Sequence, residues 1–137
     1  MGKHAIIMIK NNKGEYLQYF DERWTSFLFP NCKLINDNHE DLILECLKSK
    51  FNLNFNDIFI DYVMDKIHEK FSESDKIIKE YHHYFYQIQY SELPNQYKNK
   101  AFVNNNIKFA WLSLNELESN ERIQEVNSDI VSFIKEI

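Results

Sequence analysis

Between residues 37 and 52 of this 137-residue chain, acidic, basic and nucleophilic side chains crowd into one predicted helix. Asp41 and Glu45 are spaced i, i+4 with Glu40 beside them, so the three carboxylates share a polar face. Such a face could hold a cation, or it complements the positive end of the helix dipole. Lys50 closes the segment; its ammonium either neutralises a phosphate as a point charge or serves the negative helix end. Arg23-Trp24 puts a guanidinium beside a large aromatic face, a pairing suited to gripping and stacking on a nucleotide, although a tryptophan there also serves to cap the core. His82 and His83 sit in the aromatic run 81–86; strand neighbours face opposite sides, so the two cannot both address one ligand. Cys32 and Cys46 have no metal-type spacing and read as two reduced thiols.

The elements that must position these groups follow from periodicity and punctuation. A helix is expected from about Asn38, as N-cap, to about Asn52, which can take the left-handed conformation that ends a helix. Its apolar face carries Leu42, Ile43, Cys46, Leu47 and Phe51. Upstream, residues 4–9 are short, apolar and β-branched, residues 11–14 form a turn and residues 16–20 return, which predicts a β-hairpin over 4–20. Phe27-Leu28-Phe29 is a further apolar run that Pro30 and Asn31 stop, leaving a polar stretch over 35–39. Residues 58–68 and 77–90 are long strand candidates with a turn at 72–75 between them. Residues 91–106 read as the longest loop and 107–112 as a final strand. Ser113 and Glu116 have capping-box spacing, and residues 123–137 form an amphipathic closing helix. Strands interrupted by two helices make an α+β or mixed α/β sandwich.

Composition bounds the function. Hydrophobic residues make up 44% and aromatics 15%, enough for a packed interior, and the length suits one domain spanning 1–137. A net charge of −5 supplies no field for a nucleic-acid backbone, so neither DNA nor RNA is expected as a partner. No apolar run approaches the roughly 20 residues that span a bilayer. The opening residues show no secretory pattern, which predicts a cytoplasmic protein without membrane contact. Two Gly and two Pro among many Asn, Lys and Ile suit an AT-rich, bacterial genome.

Three segments resemble the Nudix hydrolase family. Trp24 through Lys33 (Trp-Thr-Ser-Phe-Leu-Phe-Pro-Asn-Cys-Lys) is similar to the family's Trp-x-x-Pro-Gly-Gly-Lys entry to its catalytic loop. Leu42 through Leu53 is similar to the loop-helix segment that usually ends Arg-Glu-Leu-x-Glu-Glu-x-Gly-Ile. Lys108 through Leu117 follows the late strand and turn, with a Trp and a Glu-Leu pair. The resemblance implies an α/β/α sandwich with a mixed sheet, a central helix after the catalytic loop and a C-terminal helix. It also implies hydrolysis of a nucleoside diphosphate linked to another group, with Mg²⁺ or Mn²⁺ meeting the developing phosphoryl charge.

The middle segment departs from that pattern. With Leu47 on the box leucine, Glu45 stands at the arginine, Cys46 at the first helix glutamate, and Ser49 and Lys50 at the glutamate pair. Asn52 replaces the box glycine, and Asn31 and Cys32 replace the loop's Gly-Gly. Positions 46, 49 and 50 would share one helix face, which here offers a thiol, a hydroxyl and an ammonium, none of them a ligand for a hard dication. The expectation is therefore a module impaired in the family mechanism that binds a nucleotide-type ligand through Arg23, Trp24, Lys33 and Lys50, or a protein partner or second copy, with no metal assigned. The alternative is an active hydrolase whose Mg²⁺ or Mn²⁺ is held by Glu40, Asp41 and Glu45.

Overall fold

In the computed structural model, which describes residues 2–72 and 75–137, the first strand dictates the layering. β1 (Gly2–Met8) is buried on both faces, with Ala5 and Ile7 in one core and Ile6 and Met8 in another. A strand apolar on both sides belongs inside a sheet with both edges paired. Accordingly β4 (Asn31–Lys33) runs antiparallel on one edge and β6 (Ile77–Gln89) parallel on the other; β5 (Phe59–Ser72) completes a mixed sheet ordered β4-β1-β6-β5. This overturns the hairpin expected over residues 4–20. The turn forms, with Asn11 Oδ1 accepting from the backbone N–H groups of Lys13 and Glu15 at 3.1 and 2.9 Å and Gly14 at φ 76°. Beyond it, β2 (Tyr16–Asp21) leaves for a second, antiparallel sheet ordered β3-β2-β8-β7, and the two strands meet at an isolated bridge between Lys10 and Tyr16.

β3 (Ser26–Leu28) and β4 lie on either side of Pro30, where the chain changes sheets. β4 is absent from the sequence reading because it is short and polar. The predicted helix splits into α1 (His39–Glu45) and a π turn over Cys46–Lys50, in which the Phe51 N–H reaches back five residues to the Cys46 carbonyl at 3.2 Å. Asn38 occupies the N-cap position, but its side chain makes no capping hydrogen bond. Asn52 ends the turn at φ 52°, the left-handed closure expected.

β5 and β6 form a long antiparallel hairpin with an irregularity between Tyr62 and Met64; the turn expected at 72–75 includes residues outside those described. The predicted loop over 91–106 is more ordered than expected. It holds a 3₁₀ turn at Asn95–Tyr97 with Tyr97 buried, then β7 (Ala101–Asn104), which pairs with β8 (Ile107–Leu112) through Asn105 and Asn106, both at positive φ. Ser113 and Glu116 form the predicted capping box of α2 (Leu114–Ser119). Asn120 caps α3 (Glu121–Lys135), which kinks at Asn127.

Helices cover both sides of the sheets. α1 and the π turn pack with Ala5, Ile7, Leu17 and Trp111, while α2 and α3 pack with Ile6, Met8, Phe29 and Phe85. The result is an α/β/α arrangement, and no helix among the described residues is long and apolar enough to cross a membrane. Trp111 is fully buried and donates from Nε1 to the Tyr97 carbonyl at 2.7 Å, fastening the 3₁₀ turn to β8. Trp111→Phe leaves that carbonyl unsatisfied and creates a void. It should lower the urea unfolding free energy by about 2–4 kcal/mol.

Candidate functional site

Asn31 joins the two halves of the site. Its side-chain Nδ2 donates to the Phe29 carbonyl at 2.9 Å and to the Tyr19 hydroxyl at 3.2 Å, which fixes the peptide at the start of β4. Its carbonyl accepts from the Cys46 thiol at 3.4 Å and from Lys50 Nζ at 3.3 Å. The Lys50 ammonium also stands 5.8 Å from the Tyr19 ring centre and 5.1 Å from that of Phe51. Burial pushes the Tyr19 hydroxyl up to about 12, so it stays protonated and donates to Asp21 Oδ2 at 3.2 Å. Ser49 does not join this group. The wide π turn advances the chain by less rotation per residue, and Ser49 Oγ donates instead to Glu45 Oε1 at 2.8 Å. The shared face expected for positions 46, 49 and 50 is thus divided: two converge on Asn31 and one turns away.

The Asn31 side of β4 opens on a cleft of about 270 Å³ between the β5–β6 ribbon, β1 and α3. Its apolar wall includes Ile6, Trp24, Phe29, Phe71 and Ile130; its polar wall includes His4, Lys70, Tyr81 and His83. His68 Nε2 and His83 Nδ1 lie 2.6 Å apart, within hydrogen-bond distance, and His68 Nδ1 faces Asp129 Oδ2 at 3.6 Å. Lys70 Nζ donates to the Val126 carbonyl at 2.8 Å and to Asp129 Oδ1 at 3.2 Å. An ammonium has three donors, so one is left for another acceptor. His4 Nδ1 is buried without a hydrogen-bond partner among the described residues. Burial, then the charges of Lys33 and Lys50, hold His4 below the ordinary histidine value, and burial likewise lowers His68 against the opposing pull of Asp129. Burial, with His68 and His4 alongside, lowers His83 to about 4. At neutral pH the cleft wall sets the uncharged imidazoles of His4 and His83 beside the ammonium groups of Lys70 and Lys79.

This architecture matches solved structures along nearly its full length. C. elegans Ap4A hydrolase and a Nudix-family hydrolase from Clostridium perfringens each superpose with a TM-score of 0.57 at 15% identity, covering 98% of this chain and 94% of theirs. MutT, a Nudix-family protein from methicillin-resistant Staphylococcus aureus 252, gives 0.52 at 21% identity, over 97% of this chain and 94% of that one. The fold is that of the Nudix hydrolases. No family model matches the sequence, and no curated protein does either. The solved structures thus support the Nudix resemblance at the level of the fold.

The sequence-derived candidates scatter over that Nudix framework. Glu40 and Asp41 stand in the first turn of α1 and line a second, more open pocket of about 450 Å³ with Asp37, Tyr62 and Tyr86. Glu45 lies outside it, bonded to Ser49. Among the described residues no three His, Cys, Asp or Glu side chains are grouped so as to hold a metal ion. The Arg23 side chain is 85% exposed with Asp21 at 3.8 Å, and Lys33 is exposed on β4 in register with His4. Trp24 lines the cleft, 38% exposed, with its carbonyl held by Arg122 Nε at 2.9 Å. As expected, His82 and His83 face opposite ways: His82 Nε2 meets Asp65 Oδ2 at 2.6 Å on the outer side.

Sequence reading missed His4, His68, Lys70, Tyr81 and Asp129. The available signal was the alternation Lys66, His68, Lys70 in β5 and Lys79, Tyr81, His83 in β6, which puts all six on one ribbon face. These histidines make stability depend on pH. Their folded values lie below the ordinary 6.5, so the unfolded chain binds protons more readily, and stability is complete above 6.5 and lost as the pH falls towards 4. His83 contributes at most about 1.4 kcal/mol per pH unit across that window. Urea unfolding should show wild type losing stability between about pH 7 and pH 5 more steeply than His83→Gln.

Proposed function

We propose that this Nudix-fold chain binds a nucleotide-type small molecule in the His4–His83 cleft and does not carry out the metal-dependent hydrolysis that the family resemblance implies. One observation carries the reading: Lys50 Nζ and the Cys46 thiol occupy the Asn31 carbonyl, at positions where the resemblance puts carboxylates. A hard dication needs several oxygen ligands in near-octahedral array, and an ammonium at that carbonyl repels it. The donor set present, a thiol, a hydroxyl turned elsewhere and an ammonium, does not fit Mg²⁺ or Mn²⁺.

The same groups suit an anionic ligand with a flat ring. Trp24, Phe29 and Phe71 offer apolar surface for a base. The unpartnered His4 Nδ1 offers a hydrogen bond to its edge. The remaining donor of Lys70 and the ammonium of Lys79 in the cleft wall, with the charge of Lys50 reaching His4 from outside the lining, supply positive potential for phosphate oxygens. Arg23 and Lys33 stand farther out as exposed cations that attract phosphate before it is seated. Such a molecule acts in the cytoplasm, where nucleotides are plentiful, as a sensor or regulatory subunit.

A thermal-shift and calorimetric screen of nucleotides with chelator present tests this directly. Binding should occur without divalent ion. Trp24→Ala should weaken it about tenfold, whereas Lys70→Ala should weaken nucleotides about tenfold and leave nucleosides unchanged, because the lysine meets only the phosphates. Magnesium- or manganese-dependent phosphate release that disappears in Glu45→Gln would overturn the proposal in favour of a relocated metal site on Glu40, Asp41 and Glu45. Absence of any nucleotide-induced shift would remove the ligand and leave a protein-partner role.

A further inference from the structure

Cys32 and Cys46 are separate in sequence, yet the fold brings them together. Cys32 is half-buried on β4, in register with Ala5, and Cys46 is buried in the first position of the π turn. Both side chains pack in the same core cluster, and the Cys46 sulfur lies 3.4 Å from the carbonyl of Asn31, the residue that precedes Cys32. Lys50 Nζ shares that carbonyl at 3.3 Å. The pair is asymmetric. The neighbouring Cys46 thiol, then the charge of Lys50, holds the Cys32 thiol below the ordinary cysteine value, while Cys46 is pushed far up, first by its neighbour Cys32 and then by burial. Attack by a thiolate on a small oxidant requires partial exposure and nearby positive charge, and Cys32 has both.

We propose that Cys32 and Cys46 form a peroxide-oxidisable site that closes an intramolecular disulfide between β4 and the π turn. Cys32 sulfur attacks one oxygen of hydrogen peroxide; the O–O bond breaks, a sulfenic acid forms and the second oxygen leaves as water. The Cys46 thiol then attacks that sulfur; the S–S bond forms, the S–O bond breaks and a second water leaves. Two thiols lose two electrons in all, and one peroxide is reduced to two waters. The product ties the strand carrying Asn31 to the turn carrying Lys50. It does not depend on what the cleft binds.

The full-length chain, reduced and then exposed to a small molar excess of hydrogen peroxide, should lose both thiols together. It should also lose the mass of two hydrogens, remain a monomer on a non-reducing gel and yield a peptide pair linked through positions 32 and 46. Dithiothreitol should restore both thiols. Cys46→Ser should stop at a dimedone-reactive sulfenic acid on Cys32. Cys32→Ser, a change at a half-buried position, should leave Cys46 reacting about tenfold more slowly than Cys32 does. An oxidised wild type with one thiol still free, disulfide-linked dimers, or an unchanged thiol count would each overturn the proposal.

Discussion

The burial of β1 on both faces constrains everything else in this molecule. A strand with Ala5 and Ile7 on one side and Ile6 and Met8 on the other must be flanked by partners and covered by helices above and below. Strand alternation then sorts the functional groups. On the Ala5 side stands Cys32, facing α1 and its π turn. On the Ile6 side stand His4 and Asn31, lining the cleft against α3. The period of two that builds the core thus also delivers a thiol to one helix layer and an imidazole to the other.

Charge is organised around a single backbone carbonyl. The Asn31 oxygen is held in place by its own side-chain amide, and an ammonium and a thiol approach it from the π turn. Nearby, burial keeps the histidines neutral, so the positive potential at the cleft comes from lysines.

Much of the fold was legible in the chain. The long strands at 58–68 and 77–90, the strand at 107–112, the capping box at Ser113 and Glu116 and the closing helix all rest on local patterns, and local patterns survive folding. What failed was non-local. The turn after β1 looks like a hairpin turn, but the choice of pairing partner was made by β4 and β6, more than twenty residues away in sequence. β4 itself is three residues of mixed polarity and carries no periodicity to read. The cleft and the polar cluster beside it gather His4, His68, His83 and Asp129 from four separate elements, and the thiol pair gathers Cys32 and Cys46 from two; neither leaves a spacing signature. The loop over 91–106 was misread because Tyr97 and Trp111 order it through a contact that composition does not reveal.

The π turn has a consequence for how such a protein could change over time. Because the widened coil sends position 49 one way and positions 46 and 50 another, three carboxylates written into those places would not form one chelating surface. Residue identity and backbone pitch would have to be altered together, and neither alteration alone would yield a complete cage.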